Sequence, residues 1–188
     1  YPLLLSIFFL LYPVGDLTKN ARQSILANTL TQKPDWAGES MNKILNYLRN
    51  NFGRSLTIFP NGKEIIPLPF KVEEPLLRKE LEIGMLEMIN SERKKSGLPE
   101  LYFDEELAEV ARTHSKDMFQ RGYFSHYSPE GKSPFDRIRK NGIQFSIAGE
   151  NLALAQNLSL AHQGLMESTV HRANIEHQSY GKVGIGIL

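Results

Sequence analysis

Three amphipathic segments with defined starts and stops lie between residues 76 and 142, and they constrain the fold of this 188-residue chain most. In the first, LLRKELEIGMLEMINSERKKSG, the apolar residues at helical spacing are Leu81, Met85, Met88 and Ile89. We expect that helix to end at Gly97 and the second, EELAEVARTHSKDMFQRG, to begin after a capping Asp104. The third, KSPFDRIRKNG, has Ser133 as its cap and Gly142 as its stop. Each apolar stripe has to be buried against another layer of structure.

The sequence after these helices adds short strands. ENLALA and KVGIGIL have the composition of strands, and SLAHQGLMEST between them predicts a fourth helix. Hydrophobic residues make up 41% of the chain and charged residues 23%, which is typical of a globular protein and not of a disordered one. The order of elements predicts an α+β fold in which helices are layered on a sheet.

Charge and cysteine content exclude several classes of function. The net charge is +1 and no Lys or Arg run supports a nucleic-acid-binding surface, so we expect no binding to nucleic acid. The chain has no cysteine, which excludes disulfides, a thiol nucleophile and any cysteine-based metal site. A bound metal ion would have to be held by histidine and carboxylate side chains.

A nearly uniform apolar run occupies residues 2–11. It is shorter than the roughly 20 residues that cross a bilayer. Because the chain starts with Tyr1 and not with Met, we interpret the run as the end of a transmembrane helix; a buried helix and a signal-peptide core are the alternatives. On the first interpretation the protein is extracytoplasmic and anchored in the membrane through a segment that ends near residue 12.

A Pro- and Gly-rich stretch divides the chain. Residues 16–50 are expected to be helical, and TIFPNGKEIIPLPF then breaks the helical pattern. We therefore predict an apolar and helical segment over 1–55, a linker over 56–75 and a folded domain over 76–188. The first segment resembles the tail of the colicin V production family of membrane proteins.

Two histidines and two glutamates in the last part of the chain are the candidate chemical residues. His126 lies in a turn-rich loop, FSHYSPEG, and Glu150 stands in Gly-Glu-Asn at the start of a strand. Glu167 and His171 are four residues apart, so they would meet on one face of a helix. Their spacing leaves three interpretations open, namely a metal site, an acid/base site and chance.

The other three histidines have simpler interpretations. His114 shares a helical stripe with apolar residues, so we expect a buried histidine with satisfied hydrogen bonds. His162 and His177 have polar neighbours and are expected in solvent.

From about residue 85 to the end, the chain resembles the CAP superfamily of cysteine-rich secretory, venom-antigen and plant pathogenesis-related proteins, in its bacterial single-domain form. The resemblance rests on MINSERKKSGLPEL, FDEELAEVARTHSKDM, GYFSHYSPEGKSPFDRI, AGENLAL, HRANI and YGKVGIGIL, in the family's order. It implies a three-layer α-β-α sandwich with a cleft that holds two histidines and two acidic residues. The family's disulfides are mostly a eukaryotic feature, so the absence of cysteine is compatible.

The resemblance also assigns the cleft residues. His126 matches the first cleft histidine, Glu150 the glutamate of Gly-Glu-Asn, and His171 the second histidine. Glu167 matches a position that is often acidic or an amide. The chain departs from the family in MESTVHR, where Ser-Pro-Gly-His is usual, and the family's last strand is expected after Leu188.

The function implied is a binding module that is tethered to the membrane outside the cytoplasm. Its cleft would hold a divalent cation, most plausibly zinc, on His126 and His171, and take a small molecule, lipid or peptide. One alternative is a zinc-dependent peptide or ester hydrolase with Glu150 or Glu167 as general base. The other is that the four residues form a purely structural network.

Overall fold

The computed structural model describes residues 3–11, 55–58 and 62–188. Within these residues the strands are β1 (Leu3–Leu11), β2 (Ser55–Thr57), β3 (Ile66–Pro67), β4 (Tyr102–Phe103), β5 (Tyr123–Phe124), β6 (Ile147–Ala155) and β7 (Lys182–Ile187). The helices of the same part are α1 (Lys79–Lys95), α2 (Glu105–Arg121), α3 (Pro134–Lys140), α4 (Leu158–Glu167) and α5 (Thr169–Ile175). The helices and strands predicted over 76–188 are therefore present, with ends shifted by a few residues.

The described strands form one five-stranded sheet in the order β2-β6-β1-β7-β4 and a small pair, β3-β5. Strand β1 is antiparallel to β6 and to β7, with Leu5 opposite Ala153 on one side and Ile187 on the other. Strand β4 pairs with β7 in parallel, and β2 pairs with β6 antiparallel at the other edge. The edge at β2 positions the candidate site.

Alternate residues of β1 show that the sheet is the middle of three layers, because successive side chains of a strand point to opposite faces. Leu3, Leu5, Ile7 and Phe9 pack in one apolar cluster with Met85 and Ile89 of α1, Leu165 of α4 and Ile175 of α5. Leu4 and Phe8 belong to clusters on the opposite face, with Met118 and Val110 of α2 and Ile138 of α3. The α+β class and the α-β-α sandwich are confirmed.

The helix ends follow local capping chemistry. The Asp104 side chain accepts a hydrogen bond from Leu107 N at the start of α2, and Gly122 ends that helix with φ 72°, which a glycine adopts without strain. Ser133 and Asp136 form a capping box at α3, where each side chain accepts from the other's backbone N–H. These signals are local, so they could be predicted from sequence.

Strand β1 corrects the interpretation of the apolar run. The segment expected to be the end of a transmembrane helix is a strand at the centre of the sheet, and its residues 3–9 are buried. A central strand that is covered on both faces has a continuous apolar sequence, which length alone does not distinguish from a helix segment. Among the residues that the structure describes, no helix is long and apolar enough to cross a membrane. The helix predicted over 16–50 lies outside the described residues.

The predicted linker over 56–75 also differs from expectation where it is described. Leu68 is buried, and its backbone N–H donates to the carbonyl oxygen of Gly122 at 2.9 Å. The N–H of Val72 donates to Phe119 O at 3.0 Å, and Ile66 pairs with Phe124. The described part of this stretch is therefore packed on the domain, and β1 and β2 belong to the domain's own sheet.

Two buried charged groups tie the layers together. Glu82 of α1 receives both Arg112 Nε (2.9 Å) and Arg112 Nη2 (2.6 Å), and the Ile187 N–H of β7 also donates to it (3.3 Å). Arg93 has no exposed surface, and its guanidinium donates to the carbonyl oxygens of Pro99, Ile175, His177 and Tyr180. Through these hydrogen bonds, Arg93 holds the backbone between α5 and β7 in place.

Candidate functional site

The candidate site lies at the β2 edge of the sheet, where the two helical layers meet. His126 follows β5 and comes from the side of α2 and α3, whereas His171 comes from α5 on the opposite side. Glu150 stands on β6 in alternation with Leu152 and Leu154, whose side chains pack toward α2. All three candidate side chains are at most 2% exposed. The fold thus brings His126, Glu150 and His171 together.

Glu150 is the centre of a buried charged network. Its Oε2 lies 2.6 Å from His126 Nδ1, and its Oε1 accepts from Arg137 Nη2 at 2.9 Å and from Ser6 Oγ at 3.2 Å. Burial opposes ionisation of the carboxyl group, but the Arg137 charge and the hydrogen bond from His126 outweigh it and lower the pKa of Glu150 to about 2. The ionised carboxylate accepts a hydrogen bond from His126 Nδ1–H and so orients the ring with Nε2 directed away from Glu150.

His171 is oriented by the start of its own helix. Its Nδ1 lies 2.7 Å from Ser168 Oγ, and its backbone oxygen accepts from Asn151 Nδ2 at 2.9 Å. Burial lowers the pKa of His171 below its ordinary value, so the neutral ring is favoured. A neutral imidazole is the form that binds a metal ion.

The two histidines converge on one backbone oxygen. The carbonyl oxygen of Ile58 lies 3.2 Å from His126 Nε2 and 2.7 Å from His171 Nε2. Ile58 directly follows β2, so the end of this short edge strand enters the space between the rings. Because the two Nε2 atoms face one point, a single ligand at that point could contact both.

The donor atoms at the site suit a metal ion bound with low affinity. His126 and His171 are nitrogen donors of the kind that zinc prefers, and Glu150 would support His126 from behind without binding the ion. A zinc ion binds imidazole nitrogen at about 2.0–2.1 Å, so the Ile58 oxygen would have to withdraw first. Within the described ranges no three His, Asp or Glu side chains form a ready metal cluster. The other zinc ligands would therefore come from solvent or from a bound molecule.

Glu167 does not join the other three. It is the last residue of α4, its side chain is exposed, and its Oε1 accepts from Gln163 Nε2 at 2.7 Å. The expected meeting with His171 on one helix face fails because Ser168 is extended (φ −87°, ψ 120°) and separates α4 from α5. Ser168 takes the place beside the His171 ring.

Sequence reasoning missed four residues that build the site. Arg137, Ser6, Ser168 and Ile58 each contact His126, Glu150 or His171. The role of Ser168 could have been predicted, because serine is a common residue at the start of a helix and Ser168 stands three residues before His171. The roles of Ser6 and Ile58 depend on strand pairing across the sheet, so no local sequence pattern predicts them.

Of the remaining histidines, His114 agrees with the prediction and His162 does not. His114 is buried, as predicted, and its Nε2 lies 2.9 Å from the carbonyl oxygen of Ser125. His162 was expected in solvent, but it is only 8% exposed, because α4 turns it toward the packed side of the helix. The polar neighbours of His162 lie on other faces of the helix, and they misled the prediction.

Buried His114 predicts a loss of stability in mild acid. Burial, followed by the Arg137 charge, lowers the pKa of His114 to about 4. The unfolded chain binds a proton near pH 6.5 whereas the folded chain does not, so stability falls as the pH drops from about 6.5 to about 4, by about 3 kcal/mol for this group. The free energy of unfolding, measured with denaturant across this pH range, should fall less steeply with decreasing pH for His114→Gln than for the wild type. An equal pH dependence in the two proteins would contradict a buried, neutral His114.

Comparison with known proteins matches the C-terminal part of the chain to a known family. The sequence model of the cysteine-rich secretory protein family, CAP, matches residues 86–188. The chain is 40% identical over 106 residues to YkwD of Bacillus subtilis (strain 168), described as an uncharacterized protein, covering 56% of this chain and 41% of that one. It is 36% identical over 107 residues to YlbC of the same organism, described as an uncharacterized membrane protein, covering 56% of this chain and 31% of YlbC.

A solved structure shares the fold. The crystal structure of an extracellular protein containing an SCP domain from Bacillus anthracis str. Ames superposes with a TM-score of 0.55 at 30% identity. The similarity covers 58% of this chain and 40% of that chain. The chain thus spans less than half the length of the relatives that it matches.

Proposed function

The chain belongs to the cysteine-rich secretory protein (CAP) family, and we propose that it is an extracytoplasmic binding module whose cleft holds a divalent cation, with zinc as the best match. The observation that carries the proposal is the convergence of His126 Nε2 and His171 Nε2 on one point. Each ring is held from behind, by Glu150 and by Ser168, so its outward nitrogen is already directed. Preoriented imidazoles lower the cost of binding a borderline metal ion.

The location outside the cytoplasm is supported by the relatives. The solved relative is described as an extracellular protein, and one sequence relative is described as a membrane protein. A site built from two histidines and one supporting carboxylate, without a thiol, does not depend on a reducing compartment.

Zinc binding should depend on both histidines. Calorimetric titration of zinc into the full chain should show one site, and His126→Ala and His171→Ala should each abolish it, because a single imidazole is too weak a site. Glu150→Ala should weaken binding by roughly ten- to a hundredfold, as the loss of a group that supports a ligand does. Glu167→Ala is the matched control and should bind like the wild type, since Glu167 is exposed and pairs with Gln163.

The same titration has a defined pH dependence. Protons compete with zinc for imidazole, so affinity should fall as the pH drops through the ordinary histidine range near 6.5. Because burial lowers the pKa of His171, this histidine should lose zinc only at lower pH. Equal zinc binding in the wild type and in both alanine variants would refute the proposed site.

The second candidate is a purely structural network, which the buried contacts of Glu150 with His126, Arg137 and Ser6 favour. In that case no zinc binds, and Glu150→Ala lowers the melting temperature because it leaves the largely buried guanidinium of Arg137 without its carboxylate partner. Metal-dependent hydrolysis would need a free general base. Both oxygens of Glu150 are already engaged, so we expect binding without turnover of a peptide or ester.

A further inference from the structure

We propose that the ligand of this cleft is an extended polypeptide segment, and that residues 55–58 of the chain itself are its intramolecular occupant. This inference rests on the proposed function, because it assigns a ligand class to the same His126–His171 site. We call residues 55–58 the cleft segment.

The cleft segment is held mainly through its backbone. Ser55, Leu56 and Thr57 pair with Ala155, Leu154 and Ala153 of β6 in an antiparallel ladder, and the carbonyl of the next residue meets both histidines. Main-chain recognition at a sheet edge is how many domains accept an extended peptide. It requires no particular side chain at each position, so another segment could take the same place.

Side chains of the cleft segment add a simple specificity. Leu56 and Ile58 are two residues apart and both point into the apolar cluster that contains Leu4, Leu68, Leu152 and Leu154. They are 4% and 7% exposed. The structure therefore favours a ligand with apolar residues at alternate positions and a carbonyl directly after the second.

Among the described residues, the opposite face of the segment borders a groove, which leaves room for exchange. Ser55 and Thr57 line a groove of about 530 Å³ that also contains Gly164, Gln163, Glu167 and Ser168. The groove thus runs from the segment to the residue that orients His171. At Gly164, helix α4 approaches so closely that a β-carbon would lie 2.2 Å from Ser55 Oγ. The absence of a side chain at Gly164 creates the seat for the first residue of the segment.

The geometry makes the segment and a metal ion mutually exclusive. The Ile58 oxygen lies within hydrogen-bond distance of both ring nitrogens, so a metal ion cannot bind both while this carbonyl remains. A variant that loosens the cleft segment should therefore bind zinc more tightly than the wild type. Leu56→Asp, which places a carboxylate in an apolar cluster, is the loosening variant, and Leu56→Ala is the milder version if the first does not fold.

The experiment measures binding of a labelled synthetic peptide of residues 53–61 to the full chain by fluorescence anisotropy, in EDTA. The Leu56→Asp protein should bind the peptide, and the wild type should bind at least about tenfold more weakly because its cleft is filled. A peptide that itself carries Leu56→Asp should lose about tenfold or more. Adding Gly164→Val to the Leu56→Asp protein should also weaken the peptide about tenfold, since it fills the seat of Ser55, while zinc affinity stays unchanged.

The outcomes separate the two proposals. Failure of the loosened protein to bind the peptide, with zinc still bound, overturns the polypeptide ligand and leaves the metal site standing. Peptide binding without zinc binding in any variant supports the ligand class and overturns the metal site. A loosened protein that forms dimers by sedimentation and that the peptide cannot dissociate would mean that this edge pairs with a second copy, which also overturns the proposal.

Discussion

Glu82→Ala should lower the free energy of unfolding by about 3 kcal/mol or more. Glu82 is 1% exposed and receives two hydrogen bonds from Arg112, so the substitution leaves a buried guanidinium without its main partner. It also removes the acceptor for the Ile187 N–H, which links α1 to β7. Urea unfolding of the wild type and the variant at pH 7 measures the difference.

Glu105→Ala is the matched control for this result. Glu105 lies 2.6 Å from Arg112, as close as Glu82 does, but its side chain is 64% exposed. A solvent-exposed ion pair contributes about 0–1 kcal/mol, so the control should cost that much or less. Equal losses for the two variants would mean that burial of the Glu82–Arg112 pair is not what stabilises the junction of α1, α2 and β7.

Gly184→Ala should be at least as destabilising, because α2 lies directly on β7 at this residue. A β-carbon at position 184 would stand 2.3 Å from the backbone carbon of Leu107 and 2.4 Å from Ala108 N. Backbone atoms of a helix cannot rotate away, so helix and strand would have to separate, at a cost of about 3 kcal/mol or more. Thermal unfolding followed by circular dichroism should show a melting temperature lower by more than about 5 °C.

Gly181→Ala, directly before β7, provides the comparison. Apart from its chain neighbours, no heavy atom of the described residues would lie within 4 Å of a β-carbon there, and the backbone is not left-handed, so the variant should be neutral within about 0.5 kcal/mol. A neutral Gly184→Ala would show that α2 and β7 are not in the close contact described.

Helices and their ends were the most predictable part of the fold. Asp104, Ser133 and Gly122 act within a turn of their own helix, so their capping role can be predicted from neighbouring residues alone. The layering of these helices on a sheet followed from their apolar stripes, and the resemblance to the CAP family gave the order of the layers. The family match over residues 86–188 confirms that resemblance.

Strand β1 was the least predictable part. Residues 3–9 are covered on both faces, so the apolar run shows no alternation that would mark a strand. Its identity as a strand depends on β6 and β7, which lie about 140 residues or more away in the chain. A partner at that distance leaves no local signal in the sequence.

The site shows the same division between local and distant information. His126, Glu150 and His171 could be named from their motifs, whereas Glu167 was placed by helical spacing that the extended Ser168 interrupts. Arg137 and the Ile58 carbonyl could be recognised only from the folded structure, since Arg137 pairs with a residue on another element and Ile58 acts through its backbone.

We propose that His126 and His171 share one ligand position, to which both Nε2 atoms are directed. Diffraction data collected at the zinc absorption edge from crystals of the full chain grown with zinc test it most directly. We expect one anomalous peak about 2.0–2.1 Å from both Nε2 atoms, with the Ile58 carbonyl displaced. Zinc peaks only at other residues, with the Ile58 oxygen still between the two rings, would contradict it.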